Sequence, residues 1–387
     1  MTRITIPVNE GVIRWALERS SHEAMDLTRR FPHITDWLTG NRQPTMHQLE
    51  ELAKATSTPL GFFFLSEPPT LRLTIPHFRT VRDGNPRNPS ADLLETVQNM
   101  ERRQDWMRDY LIELGEEPLG FIGSAKIMEE PERYAAEIRQ TLELSDEWAA
   151  KQPNWTEALR YLIHKMENIG ILVVVNSIVG NNTHRGLDPV EFRGFVLVDQ
   201  YAPLVFINGA DGKAAQMFTL AHELAHLWFG YSAAFDLAEL QPADNEKEQA
   251  CNRLAAEFLV PADKLCAFWP SLDRQLDPFQ QMARRFKVSE LVAARRAIDL
   301  KLITRSEFFD FYREYIEQQH MAKTKESGNT YVNYNSMQNL RIGRRFAVAV
   351  VHAAREGKLL YRDAYRLTGL YGDTFEKYAQ SLTGDAL

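Results

Sequence analysis

Three residues within five positions are able to do chemistry together: His222, Glu223 and His226 in "FTLAHELAHLWFG", residues 218–230. On an α-helix, positions i and i+4 lie one turn apart on one face, so both imidazoles can reach a single ion. Zinc suits them, because it accepts imidazole nitrogen and its hydrolytic sites commonly use three protein ligands plus water. Glu223 sits beside the first ligand. There it can hydrogen-bond a zinc-bound water and take its proton as the water attacks a polarised carbonyl. The bland alternative is a polar helix face that happens to carry two histidines. Phe218, Leu220, Ala221, Leu224, Ala225, Leu227 and Trp228 leave almost no such face. Buried imidazoles without partners are costly, and a metal resolves that conflict.

A third ligand must come from elsewhere in the chain. The helical stretch "NEKEQACNRLAAEFLV" offers Glu246 and Glu248. Glu248 shares a stripe with Asn252 and Ala255, and antiparallel packing of the two helices would bring it to the histidines. Spacing alone leaves both glutamates open, since acidic residues are also favoured in a first helical turn for their effect on the dipole. Cys251 is a minor candidate for a fourth ligand of a closed, structural site. Otherwise Cys251 and Cys266 read as small core residues, and two cysteines give no disulfide framework.

"FTLAHELAH" followed by "EQACNRLAAEFLVP" resembles the ImmA/IrrE family of zinc metallopeptidases, best over about residues 155–262. The resemblance implies that His222, His226 and Glu248 hold one Zn2+ per chain and that Glu223 is the general base. It implies an endopeptidase acting on a specific protein partner, a repressor- or antitoxin-like regulator of the kind used in stress responses. A regulator whose zinc domain is only a structural or sensing scaffold is the competing reading; the intact Glu223 argues against it.

The elements that must position these groups follow from periodicity. "ILVVVN" (171–176), "FRGFVLVD" (192–199) and "PLVFIN" (203–208) are β-branched and aromatic runs separated by turn residues, and predict three strands of a small sheet. "PLVFIN" or "RGFVLVD" is the candidate edge for an added peptide strand. Tyr201, His184, Arg193 and Tyr231 are the candidate oxyanion stabilisers. Helical periodicity fills most of the rest. The expected class is α+β and mostly helical, with a small twisted sheet packed on a zincin-type helix and helical modules at both ends. The expected divisions are a module at 1–65, a proline-rich strap at 66–90 whose Leu73 and Ile75 could dock on a neighbour, and a peptidase domain at 91–319. A polar linker at 320–330 and a helical module at 331–387 complete them. The two terminal modules are candidates for gating the cleft.

"HEAMDLTRRFPHITDWLTGNRQPTMHQLEELAKAT" resembles the XRE-type helix-turn-helix. The start of its recognition helix is shortened, with Pro32 in its place, and recognition helices read bases with their N-terminal residues. Residues 1–70 carry a net charge of −1, residues 71–280 carry −12 and residues 281–387 carry +6. A near-neutral module attracts phosphates weakly. Protein contact is therefore the larger expectation for it and DNA binding the smaller. The start "MTRITIPVNEG" lacks a secretory core, and no apolar run reaches the ~18 residues of a membrane span. A cytoplasmic protein without a membrane partner is expected; composition leaves the oligomeric state open.

Overall fold

The computed structural model describes residues 4–20, 24–70, 89–127, 130–235, 246–273, 275–323 and 334–384. Leu73, Ile75, most of the expected strap and residues 324–330 of the expected polar linker lie outside them. The described chain is α+β and mostly helical. It divides into two units, residues 1–99 with 178–187, and residues 100–177 with 188–387.

The strands are β1 (Leu172–Asn176), β2 (Ile178–Val179), β3 (Asn182–Gly186), β4 (Gly194–Leu197), β5 (Leu204–Asn208) and β6 (Ala233–Phe235). The first unit holds four short helices, α1 (Glu10–Glu18), α2 (Ala24–Arg30), α3 (Ile34–Leu38) and α4 (Met46–Ala55), and the start of α5 (Ala91–Glu113). Asn9 caps α1, and a reciprocal Thr45–Gln48 capping box opens α4. Val12, Ile13, Trp37, Leu49, Leu52 and Phe63 form this unit's own core. The β2–β3 hairpin belongs to it: Arg185 reaches Asp92 at 2.9 Å and Glu95 at 2.6 Å.

The second unit adds α6 (Pro131–Thr141), α7 (Trp155–Asn168), α8 (Lys213–Phe229), α9 (Glu246–Leu259), α10 (Ala262–Phe268), α11 (Pro278–Phe286) and α12 (Glu290–Asp299). After these come α13 (Arg305–Lys323), α14 (Tyr334–Ile342), α15 (Arg344–Arg355), α16 (Tyr361–Thr368) and α17 (Asp373–Gly384). Its sheet runs β1-β5-β4-β6. β1 pairs parallel with β5, and β4 pairs antiparallel with β5 on one side and β6 on the other. The three expected strands are present. β6 and the β2–β3 hairpin were not anticipated, because "AAF" is too short to show a period and "IVGNNTHRG" carries polar residues on both faces of its second strand.

Phe195 and Phe206 stack at 4.9 Å as a cross-strand pair, which fixes the β4–β5 register. α8 crosses β4 and β5 and packs between α7 and α9. Nearly every side chain of α8 is buried, which explains the all-round apolar sequence seen at the outset.

Candidate metal centre

α8 presents His222, Glu223 and His226 inward, with fractional exposures of 0%, 0% and 1%. Gly230 ends this helix in the left-handed conformation, at φ 75°. A side chain there would also meet the Gly123 backbone at 3.0 Å, where residues 119–125 strap along the end of α8. Two arginines fix the far end of α9. Arg139 donates to the carbonyls of Glu257 and Phe258, and Arg296 donates to the carbonyl of Val260 and pairs with the Glu257 carboxylate. α9 packs on α8, so the Glu248 side chain in its first turn meets the histidines.

Nε2 of His222 lies 3.0 Å from Nε2 of His226 and 3.1 Å from Oε2 of Glu248. Nε2 of His226 lies 3.4 Å from Oε1 of Glu248. A tetrahedral ion with zinc's ligand distances needs donor atoms about 3.3 Å apart. The three residues are the group that could hold a metal ion among the described residues. Cys251 is buried beside them but is not part of that group.

Electrostatics supports the fit. Burial pushes the His222 imidazole down to about 4, so it stays neutral, the form in which histidine ligates a metal. Burial alone would raise Glu248, but the two imidazoles of His222 and His226 beside it outweigh burial and hold the carboxyl below the usual range. Burial, reinforced by the charge of Glu248, pushes Glu223 well above that range. Both Glu223 oxygens and Nδ1 of His226 are buried without a hydrogen-bond partner. A cluster of two imidazoles and two carboxylates this poorly satisfied fits a bound cation and is otherwise costly.

Two residues had no assigned role in the sequence. The Nδ1–H of His222 donates to Oδ1 of Asn252 at 3.0 Å, which leaves the Nε2 lone pair for a metal. Gly194 on β4 lies against Glu223: a Cβ there would meet Thr219 Cγ2 at 2.7 Å, the Phe206 carbonyl at 2.8 Å and the Glu223 carboxylate at 3.3 Å. A glycine inside a strand is the sequence signal of such a close approach.

The oxyanion candidates are scattered. His184 is exposed on β3 in the first unit, Arg193 pairs with Asp211 at 3.6 Å, and Tyr231 lies under the Lys247 ammonium at 3.8 Å. Tyr201 is half-buried in the turn before β5. Residues 246–248 place Glu246 on the exposed side of α9 and Glu248 on the buried side.

Residues 166–297 match a family model for peptidase M78, described as an IrrE N-terminal-like domain. Residues 342–381 match a domain of unknown function, DUF8813. No curated protein matches the chain. The first match contains α8, α9 and the whole cluster, and supports ImmA/IrrE character for this stretch and a hydrolase of the protease class. Among the described residues no helix is long and apolar enough to cross a membrane.

Proposed function

We propose that the protein is a zinc-dependent endopeptidase that cuts a specific protein partner, a repressor- or antitoxin-like regulator, in the cytoplasm. The observation that carries the reading is the convergence of His222, His226 and Glu248 ligand atoms within 4.8 Å, beside a buried and unpartnered Glu223 carboxylate. A purely structural site has no use for that second carboxylate. The nature of the partner rests on the family resemblance.

When bound, zinc supplies positive charge: it polarises the scissile carbonyl, lowers the pKa of an attacking water to about 7 and returns Glu223 to its ionised form. His222, His226 and Glu248 would hold the ion, with Asn252 keeping His222 in the ligating tautomer. Glu223 accepts the proton of the attacking water and delivers it to the departing amide nitrogen. Gly194 leaves room for the Glu223 carboxylate against β4.

The test uses purified protein, assayed for metal content and then against proteins encoded beside it, with and without chelator. Glu223→Gln is expected to retain zinc and lose cleavage by about 100-fold or more. A wild-type protein that binds zinc yet cuts no such partner, or a variant that cuts as well as wild type, overturns the proposal.

A further inference from the structure

A cleft of about 460 Å³ lies between α5, α7 and α15, and the residues lining it all fall in the second unit. Its floor is apolar, with Met107, Leu111 and Ala349 buried there. Its rim is cationic. Arg344 and Arg345 stand at the start of α15, and Arg345, Val348, Ala349 and His352 recur on one stripe of that helix. His164 on α7 and Tyr110 on α5 complete the rim.

Glu167 is the one carboxylate among the lining residues, and it is already committed. It accepts the Arg345 backbone N–H at 3.0 Å, serving as the cap that Gly343 has no side chain to provide. The Arg345 side chain donates weakly there, from Nη1 to the Glu167 carbonyl at 3.4 Å, while the charges of Glu116 and Glu167 favour its cation against burial. His352 is paired with Glu356 at 3.1 Å, so the two arginines carry the cationic character of the rim. Guanidinium groups match carboxylate and phosphate oxygens in a planar fork.

We propose that this cleft binds a small amphipathic organic anion, its carboxylate or phosphate on Arg344 and Arg345 and its body on the Met107–Leu111–Ala349 floor. Arg344, Arg345 and Ala349 lie in the stretch that matches the domain of unknown function, whereas Met107 and Leu111 lie outside both matched stretches. The site is independent of the metal centre and of the peptidase reading.

Isothermal titration of the full chain with decanoate, AMP and inorganic phosphate tests it, beside Arg344→Met and Val348→Trp. Val348 is 41% exposed, so a tryptophan there fills the cleft without disturbing the core. Saturable 1:1 binding of decanoate or AMP, weakened at least 10-fold in both variants with unchanged melting temperature, is the expected result. Decanoate against AMP tells a carboxylate from a phosphate ligand. Saturation by none of the probes at millimolar concentration overturns the proposal. So does binding that both variants leave intact, or inorganic phosphate binding as tightly as the two amphipathic probes.

Discussion

At His222 two hydrogen-bonding demands meet on one ring. In the proposed zinc site Nε2 offers a lone pair to the ion, so Nδ1 carries the proton and needs an acceptor away from water. Asn252 supplies it at 3.0 Å, one helical turn along α9 from Glu248. Asn252→Ala is therefore expected to lower zinc affinity by about 10- to 100-fold while leaving Glu223 and the three ligands in place. Competition with a coloured chelator measures it, and an unchanged affinity would reduce Asn252 to a packing residue. The pairing of His222 with His226 was legible in the sequence because helical spacing fixes which side chains share a face. The choice between Glu246 and Glu248 needed the resemblance, since two acids in one helical turn look alike until the helix is packed. Gly194 was not legible as a neighbour of Glu223, because that contact joins a strand to a helix through backbone approach.

Elements were legible where they carried a period. β1, β4 and β5 and the long helices have one, whereas the three-residue β6 owes its place to β4, which it pairs with across the Phe195–Ala234 register. α15 shows how an element can depend on a side chain outside it. Its first turn is capped by Glu167 from α7, whose carboxyl is pushed up to about 7 chiefly by burial, against the backbone N–H of Arg345 and the charge of Arg344. In the unfolded chain this group titrates near 4.5. The folded protein thus holds the proton more tightly than the unfolded one. The contribution of Glu167 to stability is fully present below pH 4.5 and declines as pH rises to about 7, by up to about 3 kcal/mol. Glu167→Gln can still accept the Arg345 N–H but does not titrate. Urea unfolding at pH 5 and pH 7.5 should show the variant losing less stability across that window than the wild type. Equal losses would mean that the carboxyl is not held neutral in the fold.

The candidate centre is buried within the second unit. His222, Glu223 and His226 are at most 1% exposed and Glu248 is 6% exposed, which is less room than a hydrated ion or an extended peptide needs. On the proposed reading, metal loading and substrate entry are then both expected to require a local opening around α8 and α9. Such openings cost anything from almost nothing to the full stability of the fold, and denaturant promotes those that expose surface. Zinc uptake by the metal-free chain should then follow the opening step: its rate should level off as zinc concentration rises, and it should increase in urea too dilute to unfold the protein. Stopped-flow mixing with a coloured chelator as indicator reads this directly. Once bound, zinc at 100 times its dissociation constant should stabilise the fold by about 2.7 kcal/mol, seen as a higher melting temperature that chelator reverses. Uptake that stays linear in zinc and indifferent to urea would mean that the ligands stand open to solvent, and the enclosure seen around α8 and α9 would not govern access.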